Sequence, residues 1–189
     1  MDEKISSAIK RHQAAAAALA ADPSAIKEIA GALARVAGAG GKVLVCGNGG
    51  SASDSLHIAG ELVGRFKKER RAVAAVALAA DPAVLTCLGN DYGFDRVFER
   101  QVEALGRPGD ALIAISTSGS SPNVLQAAIK ARELGLTVIG FFGANGGPIL
   151  KHCHHAFLAP ETDTPRVQEM HILAAHIVCE LVEDAVAAS

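Results

Sequence analysis

Three stretches of the chain carry residue types that can do chemistry together. Lys42–Glu61 reads KVLVCGNGGSASDSLHIAGE, an apolar strand-like run, a glycine-rich turn, and then a helical pattern with His57 and Glu61 four residues apart. Residues at i and i+4 share one helix face, so a base and a candidate metal ligand follow a loop that suits phosphate. The second stretch is Ser116-Thr117-Ser118-Gly119-Ser120-Ser121-Pro122, and the third holds Gln168 and His176, eight residues apart near the C-terminus. Anion binding beside proton transfer points to an enzyme acting on a phosphorylated small molecule.

The turn Gly47-Asn48-Gly49-Gly50-Ser51-Ala52 opens a helix, so its backbone N–H groups can converge on an anion at the positive end of the helix dipole. It lacks the lysine of a P-loop, which disfavours a nucleoside triphosphate. It matches G-x-G-x-x-A, the relaxed dinucleotide fingerprint, but Lys67-Lys68-Glu69 stand where a ribose-binding acid is expected and Asp81 is too far along. A nicotinamide-dependent oxidoreductase rests on that fingerprint alone. A tight turn that needs glycine only for its geometry remains the plain alternative.

The serine loop is the more specific of the two. Ser121 is a natural N-cap and Pro122 a natural first helical residue. Five hydroxyls around Gly119 at a helix N-terminus can donate to the terminal oxygens of a phosphomonoester without a cation. One cap needs far fewer, although serines and threonines are common there.

His57, Glu61, Gln168 and His176 have the donor types of a four-ligand zinc site. Gln168 and His176 lie about 80° apart around a helix axis and converge only if Gln168 sits near the helix start. An HxxxE pair on a solvated helix face is the bland reading of His57 and Glu61. His171 is turned roughly 140° from His176 and reads as a satisfied structural histidine. Adjacent residues cannot all face one ion, so His152-Cys153-His154-His155 is assigned to surface and strand-edge roles. Asn90-Asp91, after an apolar helix-like run, is placed in a loop where it either binds a polyol or caps the helix.

Positioning these groups falls to alternating elements. Strand-like runs occur at Lys42–Cys46, Val73–Ala79, Asp110–Ser116, Leu136–Phe142 and His155–Ala159. Helical patterns lie between them at Ser53–Gly64, Phe94–Leu105 and Pro122–Leu134. Apolar strands alternating with helices predict βαβ units, hence an α/β fold: a three-layer α/β/α sandwich around a five-stranded parallel sheet. Helices at Lys4–Ala20 and Ser24–Gly38 precede the sheet, and one at Thr164–Val186 closes the chain. The first two are not needed to cover five strands, so their alanine-rich faces are expected to meet other subunits.

At 189 residues, half of them hydrophobic but only 4% aromatic and none Trp, the chain suits one domain with a core of Ala, Val, Leu and Ile. A net charge of −2 gives no electrostatic reason to expect nucleic acid or an acidic membrane. No run approaches the ~20 apolar residues of a membrane span. Cys46, Cys87, Cys153 and Cys179 lack CxxC spacing and read as reduced, buried thiols of a cytoplasmic protein.

These residues together resemble the phosphoheptose isomerases of the sugar isomerase (SIS) domain superfamily. The likeness covers nearly the whole chain, in CGNGGSASDSLHIAGELVGRF, ERRAVAAVAL, LGNDYGF, GDALIAISTSGSSPNVLQAA and TPRVQEMHILAAHIVCELVE. It implies a flavodoxin-like SIS domain over residues 1–189, with 1–40 a helical extension and 41–189 the α/β core. It implies a homotetramer with active sites at subunit interfaces, converting D-sedoheptulose 7-phosphate to D-glycero-D-manno-heptose 7-phosphate for bacterial surface heptose, as in lipopolysaccharide.

Carried over by position, the family's substrate contacts fall on Asn48, Gly49, Gly50, Ser51, Glu61, Asn90, Asp91, Ser116, Thr117, Ser118, Ser121 and Gln168. Its zinc ligands, for one Zn²⁺ per subunit, fall on His57, Glu61, Gln168 and His176, with Glu61 and His176 the acid–base pair. Intact Glu61 and His176 separate the chain from the alternative, the family's non-catalytic cousins that bind a phosphosugar or a replication initiator.

Overall fold

The computed structural model describes residues 1–188. Five parallel strands, β1 (Val43–Gly47), β2 (Ala75–Ala77), β3 (Ala111–Ser116), β4 (Thr137–Phe142) and β5 (His155–Leu158), form one sheet in the order β2-β1-β3-β4-β5. This is the flavodoxin-like order, in which the chain reverses direction across the sheet between β1 and β3. Ligands of such sheets bind beyond the carboxyl ends of the strands at that point. The register pairs Gly47 at the end of β1 with Ile115, one residue before the serine loop. The two glycine- and serine-rich turns are therefore neighbours.

Helices cover both faces, as the sequence predicts. Val43, Val45, Ile113, Ile115, Ile139 and Phe141 point to one side, which α2 (Ser24–Gly38), α3 (Gly50–Val63) and α7 (Thr164–Ala187) cover. Leu44, Cys46, Leu112, Ala114, Val138 and Phe142 point to the other, against α5 (Glu99–Leu105) and α6 (Pro122–Glu133). Period-2 alternation with both faces apolar is what a buried parallel strand requires.

The first two helices divide. In α1 (Asp2–Ala21) only Ala15 and Leu19 are buried, and Ile5 and Ile9 stand exposed. The expectation fails for α2, whose Ile26, Ile29, Leu33 and Val36 are buried while the helix packs on α7 and β5. Each of those side chains contributes roughly 1.5–3 kcal/mol by leaving water. It is a sheet-covering helix, because the far end of the sheet needs a third cover beside α3 and α7.

Smaller differences have local causes. The expected helix over 94–105 is split into a 3-10 turn at Phe94–Arg96 and α5. The run before Asn90 is helix α4 (Pro82–Tyr92), whose N-cap Asp81 accepts from the Ala83 and Val84 N–H groups. Asn90 and Asp91 therefore occupy the last turn of a helix rather than a loop. Of the four cysteines, all free, Cys46 and Cys179 are buried, Cys153 is half-buried and Cys87 is exposed, which corrects the expectation of four buried thiols. Among the described residues no helix is long and apolar enough to cross a membrane.

Candidate active site and metal centre

Helix α3 starts three residues earlier than the sequence suggests. Gly49, at φ 57°, is its N-cap, and the Ser51 and Ala52 N–H groups bond back to the Asn48 and Gly49 carbonyls at 3.0 Å. Ser51 is buried in that first turn. A Cβ at Gly50 would collide with the Gln168 carboxamide, so a glycine there is what lets α7 approach the opening of α3. Gln168 stands in the second turn of α7, near the helix start, where convergence with His176 requires it.

Two turns into α3 the reactive groups gather. His57 Nε2 lies 3.1 Å from Glu61 Oε1 and 2.9 Å from His176 Nε2. The ligand atoms of His57, Glu61 and His176 all fall within 4.8 Å of one another. Phe66 lies beside them, its ring centroid 5.6 Å from that of His176. One turn before His57, burial pushes the Asp54 carboxyl above its ordinary range, against a smaller pull from His57.

These distances suit a metal. Donor atoms about 2.0 Å from a tetrahedral zinc lie roughly 3.3 Å from one another. Two imidazole nitrogens facing each other must otherwise share a proton, whereas a cation between them takes both lone pairs. Two imidazoles and one carboxylate are a common zinc donor set.

The serine loop closes on itself. Ser116 Oγ lies 2.9 Å from Ser121 Oγ and 3.5 Å from Ser118 Oγ, and the Ser120 hydroxyl donates to Ser118 at 2.9 Å. Ser121 is the N-cap of α6, yet its hydroxyl bonds Ser116 instead of capping the helix. The side chain expected to cap is thus retained in the hydroxyl cluster. Gly119, at φ 64°, presses its backbone on Gly146 and Gly147, and the Ile149 N–H donates to the Gly119 carbonyl at 3.1 Å. Thr117 accepts at its carbonyl from the Gly143 N–H.

The exposed pair Asn90–Asp91, bonded to itself at 2.7 Å, lies in the last turn of α4. His171 is buried but neither ring nitrogen is hydrogen-bonded, so it is structural without being satisfied. His154 accepts from the Val138 N–H at the sheet edge, as its strand-edge assignment requires.

A SIS domain family model matches residues 8–143. The phosphoheptose isomerase of Aquifex aeolicus is 55% identical over 161 residues, 85% of this chain and 84% of that protein. The chain belongs to the phosphoheptose isomerases. A phosphoheptose isomerase from a Bradyrhizobium strain is 51% identical over 187 residues, 97% of this chain and 94% of that one. The solved phosphoheptose isomerase of Neisseria gonorrhoeae superposes with a TM-score of 0.91 at 38% identity, covering 97% and 98% of the two chains.

Around the candidate site of this phosphoheptose isomerase the structure adds residues that sequence reasoning missed. The Asn123 carboxamide bonds that of Asn48, and Arg70 holds the main chain of Glu61. Asn123 is 75 residues from Asn48, and Arg70, nine residues after Glu61, reaches it from an irregular loop, so neither spacing nor periodicity signals them.

Proposed function

We propose that the protein isomerises D-sedoheptulose 7-phosphate to D-glycero-D-manno-heptose 7-phosphate, and the observation carrying this is the convergence of His57, Glu61 and His176. The serine loop holds the phosphate, while Asn48–Gly50 and Asn90–Asp91 hold the sugar hydroxyls. Phosphate binding far from C1 and C2 supplies binding energy and fixes which carbons face Glu61.

Ketose–aldose exchange moves one hydrogen from C1 to C2, while O1 loses a proton and O2 gains one. Glu61 takes the C1 proton of the open-chain ketose and returns it at C2 of the enediol(ate), and His176 transfers the oxygen protons. Glu61 turns Oε1 to His57, which leaves Oε2 for the proton.

His57, Glu61 and His176 would hold one Zn²⁺ with Gln168 as fourth ligand. A zinc ion there supplies Lewis acidity toward the reacting oxygens. The same reading treats residues 1–189 as one SIS unit and makes the protein a cytoplasmic homotetramer serving surface-heptose synthesis. It assigns the exposed Ile5 and Ile9 and helix α4, which has no buried residue, to contacts with other copies.

The test is to incubate the purified, zinc-supplied protein with sedoheptulose 7-phosphate and follow the aldose by NMR. Steady conversion is expected, and none under metal-replete conditions would sink the reading.

A further inference from the structure

Past the end of α3 the chain runs through residues 65–71 before β2, and this loop is tied to α7 by two exposed ion pairs, Lys67–Glu180 and Lys68–Asp184, and by one buried pair. Arg70 and Glu183 are each 1% exposed at the side chain, with Arg70 Nε 3.5 Å from Glu183 Oε2. The last four carbonyls of a helix have no partner within it. Arg70 takes two of them: Nη2 donates to the Glu61 carbonyl at 2.7 Å, and Nη1 donates to that of Leu62 at 2.9 Å. Nη1 also donates to the Gly64 and Arg71 carbonyls at 3.0 and 3.1 Å.

Glu183 grips the other side of the loop. Its carboxylate accepts from the Phe66, Lys67 and Lys68 N–H groups at 2.7, 2.7 and 2.6 Å. Burial alone would push the carboxyl up, but these three donors and Arg70 outweigh it and hold the group below its usual range. Phe66, fixed in this way, sets its ring against His176. Glu183 lies seven residues after His176 on α7, about 20° short of two full turns, and so on the same face.

One end of the pair thus holds the main chain of Glu61, and the other stands on the helix of His176. We propose that Arg70 and Glu183 are positioning residues that set Glu61 against His176 across the α3–α7 seam. This rests on the isomerase reading for its link to turnover. A buried ion pair is weak evidence for stability, since apolar residues of similar size often replace one at no cost. Holding ligands and bases in place is a different matter, because outer partners of metal ligands typically govern 10–100-fold in affinity or activity.

The test compares Arg70→Lys, Glu183→Gln and the double variant Arg70→Met/Glu183→Met with the parent enzyme. Lysine cannot fork across four carbonyls, and the double variant leaves no unpaired buried charge. Each variant is expected to lose about 10-fold or more in kcat with KM for sedoheptulose 7-phosphate within about twofold. Each is also expected to bind Co²⁺ about 10-fold more weakly when the metal-free protein is titrated and followed by visible absorption.

The cobalt arm separates the two ideas. A parent protein that binds Co²⁺ but does not isomerise overturns the reaction while leaving the clamp measurable. Variants that fold and match the parent in kcat and Co²⁺ affinity overturn the proposal, as does failure of all three to fold, which would make the pair purely structural.

Discussion

Asn48 and Asn123 exchange two hydrogen bonds, Nδ2 to Oδ1 in each direction, both 2.9 Å long. They bind the glycine turn after β1 to the first turn of α6, which the serine loop opens. Asn123 is 2% exposed, and its Oδ1 also accepts from the Val124 N–H. The glycine turn and the serine loop are therefore one rigid unit.

Asn123→Ala tests this unit. Loss of both bonds frees the half-buried Asn48 carboxamide and leaves the buried Val124 N–H without its Asn123 acceptor, and a buried polar group left without its partner costs about 1–3 kcal/mol. We expect kcat/KM to fall about 10-fold or more, with most of the loss in KM, because the damage is to binding. Steady-state kinetics that match the parent enzyme would show that the turns hold themselves.

Glu61→Gln keeps the size of the side chain and removes the proposed base. General acid–base groups contribute about 10²–10⁴-fold, so kcat is expected to fall by at least 100-fold. Substrate affinity by calorimetry should change little. Full turnover in this variant would reassign the C1 proton to another group.

Much of this arrangement was legible before folding. Apolar runs alternating with helical patterns predicted all five strands and the parallel sheet, because a strand buried on both faces reads as a continuous apolar run. The Ser121-Pro122 start of α6 followed from local cap chemistry. What was not legible depends on distant partners. Ile26, Ile29, Leu33 and Val36 stand at helical spacing in α2, but only the strand order says that this face covers β5 and α7 instead of meeting other subunits. Asn123 resembles an ordinary first-turn residue until β1 and β3 are paired. Asn90 and Asp91 were misplaced because nothing local stops α4 before Gly93, at φ 83°.

Metal dependence gives a third expectation. If His57, Glu61 and His176 hold zinc, exhaustive chelation abolishes turnover and added Zn²⁺ restores it. A ligand that binds only the folded state stabilises by about 2.7 kcal/mol at 100 times its dissociation constant. Calorimetric Tm should therefore rise with Zn²⁺ in the parent protein and stay flat in His57→Ala. Undiminished activity after chelation would remove the metal from the reaction.

His171 gives a pH dependence that can be isolated from the site. Its ring is 1% exposed, wedged edge-on between Phe141 and Phe157, with neither nitrogen hydrogen-bonded. Burial pushes its pKa down to about 4, against a smaller opposing effect from the Phe142 backbone. The unfolded chain titrates near the ordinary value of about 6.5, so between pH 6.5 and 4 it binds a proton that the folded chain refuses. Stability contributed by the neutral ring is fully present above about pH 6.5 and is lost as pH falls toward 4, by about 3 kcal/mol in all. His171→Leu removes that loss. Denaturant unfolding of the two proteins at pH 7 and pH 4.5 should show the variant gaining about 2–3 kcal/mol on the parent at the lower pH. Equal losses in both would mean that the imidazole finds a partner when protonated.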